Sequence, residues 1–124
     1  MSRRHRGPAA ALIGALAVAL GGCTGSLLGG GDPTLYEALG DADIVLATAA
    51  LQDGLETRPN HVAETWRNPA SGHAGSITPR ATLVSDTGSF CRRYDEHLSL
   101  ADGRSTTLDN TACRAGDGRW IWVD

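Results

Sequence analysis

The stretch FCRRYDEHLSLADGRSTTLDNTACR, Phe90 to Arg114, reads as two strands around a tight turn, with a cysteine near each outer end. Ala101-Asp102-Gly103 suits a three-residue hairpin loop, with glycine at the left-handed position that makes a bulge. Leu100 then faces Arg104, so partner numbers sum to 204, and Cys91 and Cys113 share that sum. A two-residue Asp-Gly turn would give 205 and put the cysteines on opposite faces of the sheet. The register that suits the turn is therefore the register that lets the thiols meet. A disulfide here closes a loop of about twenty residues and is worth ~3 kcal/mol in the chain-entropy account. The second strand needs it, because Ser105, Thr106, Thr107, Asp109, Asn110 and Thr111 offer little to bury. A metal site would want clustered Cys and His, whereas His97 stands alone; a catalytic thiol would want a nearby base and no partner.

Outward from the hairpin, turn clusters punctuate the rest of the chain. Asn68-Pro69-Ala70-Ser71-Gly72, Ser85-Asp86-Thr87-Gly88 and Ala115-Gly116-Asp117-Gly118 are turns by residue type. Between them, period-two patterning predicts strands over 61–68, 75–84, 90–100, 104–113 and 119–123. The first places Val62, Glu64 and Trp66 on one side, and Pro79 marks an edge or a bulge in the second. Trp120 and Trp122 share a face of the last strand, so at least one belongs to the core.

Asp32-Pro33 reads as a helix start, giving a short turn around Tyr36 and Leu39 that breaks at Gly40. Asp41 then caps a main helix over 42–56, with Asp43 in its positive first turn. Ile44, Ala47, Leu51 and Leu55 recur at spacings of three and four, Thr48 and Ala50 broaden that face, and Pro59 stops the helix. Gly54 weakens the last turn by ~1 kcal/mol relative to alanine. The fold class expected is α+β: one main helix packed on a small antiparallel meander sheet of four to five strands, with the cysteine-bearing hairpin closed by a disulfide.

The N-terminus carries the address. Arg3, Arg4, His5 and Arg6 precede an apolar run of twelve residues, Ala9 to Leu20. That is short of the ~20 residues that span a bilayer and matches the apolar region of an export signal. Leu20-Gly21-Gly22-Cys23 resembles the lipobox of bacterial lipoproteins, in which the cysteine thiol receives a diacylglycerol and the signal is cut just before it. The alternatives are an ordinary secretory signal ending near a cysteine and a leaderless cytosolic chain with an apolar start. Ser2-Arg3-Arg4 hints at a twin-arginine signal but lacks the apolar pair that should follow. The expected organisation is a signal over 1–22, lipidated Cys23 with a flexible tether over 23–32, and one domain over 33–124. An exported chain meets an oxidising compartment, which favours the Cys91–Cys113 bridge and leaves Cys23 for lipid.

Without residues 1–22, eight arginines face fourteen acids, a net charge of −6, and there is no lysine. Such a chain lacks the basic stripe that nucleic acid needs, and it has no polybasic attraction to anionic lipid. Membrane contact is expected through the N-terminal lipid, where two or three acyl chains hold stably. The chain shows no nucleotide loop, zinc spacing or Gly-x-Ser-x-Gly elbow, so no catalytic residue, metal or cofactor is assigned. Asp95 and Glu96 are strand neighbours that point to opposite faces. His61 and His73 flank the first turn and are read as solvated rather than metal-binding. Trp66, Arg67, Arg92, Arg114 and Trp120 are the candidate ligand-binding residues: an arginine- and tryptophan-lined sheet face for an anionic or glycan ligand, or else surface ion pairs.

Several separated motifs resemble one family in the same order. They are Trp66-Arg67-Asn68-Pro69, Ser71-Gly72 with Gly75, Thr78-Pro79, Phe90-Cys91-Arg92-Arg93-Tyr94, Ala112-Cys113-Arg114 and Asp117-Gly118-Arg119-Trp120. The segment Ala50 to Thr57 is similar too. The resemblance covers residues 40–124 and is to the C-terminal domain of the bacterial outer-membrane surface antigens, the group with the rickettsial seventeen-kilodalton common antigen. It implies a lipoprotein of the outer membrane or envelope and brings no enzymatic activity to carry over; the role expected is structural or interactive, with an envelope protein or glycan as partner. Many members carry a glycine zipper between lipid and domain, and Leu27 to Gly31 is too short for one.

Overall fold

A computed structural model describes residues 31–123, so the expected export signal, Cys23 and most of the tether lie outside the described residues. A short 3-10 helix, Pro33–Ala38, precedes the main helix α1, Asp41–Thr57. Five strands follow: β1 (Glu64–Arg67), β2 (Ala74–Val84), β3 (Phe90–Ser99), β4 (Ser105–Arg114) and β5 (Trp120–Val123). They form one antiparallel sheet in the order β1-β2-β3-β4-β5, a meander in which every neighbour in sequence is a neighbour in space. One helix over five antiparallel strands with a closed disulfide is the α+β arrangement that the patterning predicts.

The β3–β4 register is the expected one. Leu100 N–H donates to the Arg104 carbonyl at 2.8 Å, and Cys91 sits opposite Cys113, joined by the disulfide. Counting back from Leu100, the cysteines occupy a non-hydrogen-bonded pair, the site where antiparallel side chains are nearest. The same loop recurs on either side. Ser85 bonds Ser89 and Ala115 bonds Arg119 through the same pattern, each at 2.8 Å. The closing glycines Gly88, Gly103 and Gly118 all have positive φ and stand 15 residues apart. Three equal loops thus set the meander from β2 to β5.

Pro79 does not lie on an edge. It is in β2, an interior strand, and the register shifts between Pro79 and Ala81. The bulge leaves Arg80 unpaired in the ladder and exposed, where its Nε donates to Asp95 at 2.7 Å. Proline in an interior strand is accommodated because the bulge removes the need for its missing N–H.

The helix lies over one face of the sheet, on a core of Leu55, Trp66, Ile77, Tyr94, Leu98 and Trp120, with Leu35 and Leu100 at one end. Its buried side differs from the expected stripe. Ala50 and Leu55 are buried and Ala47 and Leu51 partly so, but Ile44 is 48% exposed and Asp43 is buried in its place. Two anchors turn the helix this way. Asp43 Oδ1 accepts from Asn68 Nδ2 at 2.8 Å and Ser71 Oγ at 2.6 Å, pinning the first turn to the β1–β2 loop. Its Oδ2 accepts from Gly40 N–H at 2.9 Å, so Asp43 caps the helix, Gly40 is the cap position, and Asp41 is simply the first helical residue. These bonds, led by Ser71, hold the Asp43 carboxyl below the usual carboxylate range. At the other end Gly54 is a contact surface: a Cβ there would stand 2.9 Å from Glu64 Cβ. Small residues let the helix approach closely, as the sequence suggests.

Gly75 makes room in the same way, because the Trp66 indole lies across it. A Cβ at Gly75 would be 2.5 Å from Trp66 Nε1 and 2.6 Å from the His97 carbonyl. Gly75→Ala is expected to destabilise the fold by about 2 kcal/mol through overpacking, read as a lower urea midpoint. The paired substitution Cys91→Ala with Cys113→Ala should lower the unfolding free energy by ~3 kcal/mol. An unchanged midpoint in either case would contradict the role given to that contact.

Candidate functional site

Strand alternation separates the five candidate ligand residues. Trp66, Arg92 and Trp120 are buried on the helix-covered face, whereas Arg67 is exposed on the opposite one. They do not form one open face. Arg92, Arg114 and Trp120 do converge, around a depression of about 330 Å³ at the C-terminal end of α1, with Glu56, Thr82 and Phe90 completing its walls. Trp66 is distant from it, over Gly75.

Arg92 is the centre of this arrangement. Its Nη1 donates to the carbonyls of Leu55 at 2.7 Å and Arg58 at 2.8 Å, and its Nη2 to Asn60 Oδ1 at 2.8 Å. The last carbonyls of a helix lack intrahelical partners and carry its negative end, so a guanidinium answers both needs. Burial pushes the Arg92 pKa down. No ion pair among the described residues includes Arg92, and its Nε is buried with no hydrogen-bond partner. Beside it, Arg114 grips Glu56 with two bonds of 3.0 and 3.1 Å, and Glu56 also accepts from Trp120 Nε1 at 2.8 Å. Those donors, Arg114 first, hold the Glu56 carboxyl below its ordinary range. Gln52 reads the Trp120 backbone twice, once in each direction, at 2.7 Å. Three of the five candidates thus clamp α1 onto β3, β4 and β5.

The histidines are engaged locally. His73 Nδ1 accepts from Ala101 N–H at 3.0 Å, and His97 Nδ1 bonds the Thr107 hydroxyl at 2.8 Å. His61 takes a positive φ of 72° at the turn into β1, and its N–H donates to the Pro79 carbonyl at 2.7 Å. Among the described residues no three His, Cys, Asp or Glu are grouped as a metal would need.

A second depression was not foreseen from the sequence. It is about 780 Å³, opens between the 3-10 helix, α1 and β3–β5, and is walled by Tyr36, Leu51, Tyr94, Leu108 and Trp122, with Glu96, Asp109 and Asn110 among its polar groups. Alternation puts Glu96 on the face of Tyr94 and Leu98, opposite Asp95, as the sequence indicates. What the sequence does not reveal is that the 3-10 helix roofs this carboxyl and that Trp122 of β5 stands beside it. Burial pushes the Glu96 pKa up, while the Tyr36 hydroxyl and the Asn110 amide act in the other direction. Burial also raises the Tyr36 and Tyr94 phenols well above the usual range.

Residues 53–121 match the family model described as 17 kDa outer membrane surface antigen, more than half of the chain. The chain belongs to this family. It is 34% identical over 84 residues to the 17 kDa surface antigen of Rickettsia bellii, and 36% identical over 84 residues to those of Rickettsia conorii and Rickettsia rickettsii. Each alignment covers 68% of this chain and 52% of the relative, so the chain spans about half the length of the curated relatives it matches. No solved structure matches. The matched segment of this surface antigen family member holds the disulfide, the Arg92 clamp and Trp120. Tyr36 and Trp122, which wall the second depression, lie outside it.

Arg92→Leu should cost about 3 kcal/mol, because it strands the Leu55 and Arg58 carbonyls. Arg114→Ala, which removes an exposed ion pair, should change the urea midpoint far less. Equal effects of the two would show that Arg92 has no special hold on the helix.

Proposed function

We propose that this surface antigen family member is a lipoprotein of the outer membrane, acylated on Cys23, whose domain serves a structural or interaction role without catalysis. The observation that carries the reading is Leu20-Gly21-Gly22-Cys23 directly after a cationic start and a twelve-residue apolar run, in a chain of an outer-membrane surface antigen family. Charge supports it, since an acidic chain without lysine has no electrostatic means of holding anionic lipid. Among the described residues no helix is long and apolar enough to cross a membrane. Geometry sets the reach of the anchor. Gly31 is seated on β4, where a Cβ would stand 2.2 Å from the Thr107 carbonyl, and Asp32 N–H donates to Thr106 Oγ1. From Cys23 to Gly31 the chain can extend no more than about 28 Å. The domain therefore works close to the bilayer, within range of an envelope protein or glycan.

A second reading, a periplasmic ligand-binding or inhibitor module, is favoured by the Arg92 depression. Its buried, unpartnered Nε and the neighbouring Arg114 would suit an anionic group. Saturable binding of an anionic glycan that Arg114→Ala abolishes, with the fold intact, would promote it.

The lipoprotein reading predicts that the chain enters the detergent phase of a cloud-point extraction and incorporates labelled palmitate. Cys23→Ala should move it to the aqueous phase and abolish labelling. A Cys23→Ala chain that stays in the detergent phase would overturn the assignment.

A further inference from the structure

The depression beside Glu96 has a composition that the proposed envelope role does not use. Glu96 is half-buried beneath the 3-10 helix, and no ion pair among the described residues includes it. Its hydrogen-bond partners are neutral: the Tyr36 hydroxyl and, at a long 3.3 Å, Asn110 Nδ2. A carboxylate withdrawn from water without a cation is costly, and two neutral donors offset only part of that cost.

The walls point to what would repay it. Tyr36, Tyr94 and Trp122 come from three different elements to line the same space. Trp122 is 58% exposed yet tethered, its Nε1 donating to Asn110 Oδ1 at 3.3 Å. Asn110 thus links the indole to the carboxyl. Among the described residues no arginine or histidine lines the cleft; its carboxyls there are Glu96 and Asp109, the latter paired with Arg93 at 2.9 Å. Aromatic faces attract cations through their ring quadrupoles, and a carboxylate among them adds direct charge complementarity. The volume, about 780 Å³, is in the range of small-molecule sites.

We propose that this cleft binds a small organic cation, an alkylammonium group on a compact body, with Glu96 as its counterion and Tyr36, Tyr94 and Trp122 as its aromatic walls. Leu51 and Leu108 give the apolar surface that the carbon part of such a ligand needs. An anionic ligand is disfavoured here, which separates this cleft from the arginine-lined depression at the C-terminal end of α1.

The test is a titration of the full chain in an uncharged detergent, followed by the Trp122 indole N–H resonance, with choline as the probe. A saturable shift with a Kd of about 1 mM is expected. The uncharged carbon isostere of choline, in which carbon replaces the ammonium nitrogen, should bind at least tenfold more weakly, and Glu96→Gln should lose roughly tenfold in affinity for choline. Glu96→Gln keeps the shape of the side chain. Trp122→Ala, at an exposed position, gives a second variant that should fold and bind weakly, read on the remaining amide resonances. The proposal is overturned if choline gives no saturable shift, if the isostere binds as well as choline, or if Glu96→Gln binds choline undiminished. It is also overturned if the shifts gather around Arg92 instead.

Discussion

The register between β3 and β4 is the constraint on which the rest of this structure depends. It is fixed by a loop of three residues closed by Gly103 and locked by the Cys91–Cys113 disulfide. Because side chains alternate, a loop one residue shorter would turn β4 over relative to β3. Tyr94 and Leu98 would then face the helix while Ala112 faced away, and no common core could form. Equal loops at Gly88 and Gly103 and again at Gly118 carry the same parity to β2 and β5. The bridge itself lies on the uncovered face, so it reinforces the register without occupying space that the helix needs.

Once the face is set, the helix is held at its two ends by charge and along its length by small residues. Asp43 ties the first turn to Asn68 and Ser71, and Arg92 gathers the last carbonyls at Leu55 and Arg58. An acidic residue at the positive end and a guanidinium at the negative end each oppose the local helix dipole. Between them Ala50 and Gly54 allow a close approach that a larger residue would forbid. The consequence for function is direct. Arginine and tryptophan side chains that resemble a recognition face in the sequence are largely committed to holding the helix: Arg92 and Trp120 are buried, and Arg114, though exposed, is paired with Glu56.

The features legible in the sequence are those governed by local rules. Turn residues and parity gave the hairpins and the disulfide, and Asp32-Pro33 gave the start of the 3-10 helix, whose cap bond from Thr34 N–H to Asp32 Oδ1 is 2.9 Å. Periodicity alone misplaced the buried side of α1, since it ranks Ile44 above Asp43. The carboxylate wins because its partners, Asn68 and Ser71, lie about 25 residues away in the chain and cannot be seen in a local window. Pro79 was ambiguous for a similar reason: whether proline marks an edge or a bulge depends on how many strands lie beyond it. The Arg and Trp set was legible as a cluster, but its engagement with helix carbonyls was not. The Glu96 cleft was illegible because its walls come from residues 36, 51, 94, 108 and 122, which share no local pattern.

The start of β4 connects these observations. β4 runs from Ser105 to Arg114, but β5 pairs with it only from Thr111 to Arg114. Near the start of β4, Gly31 and Asp32 are seated against Thr107 and Thr106. The 3-10 helix that follows roofs the space beside Glu96, with Trp122 at its rim although it shares a strand face with buried Trp120. The segment that leads into the 3-10 helix thus both packs on β4 and walls the aromatic, acidic cleft. If the chain is lipidated at Cys23, the cleft lies at the root of the tether, so its occupancy and the position of the domain over the bilayer are mechanically linked through Gly31, Asp32 and Pro33.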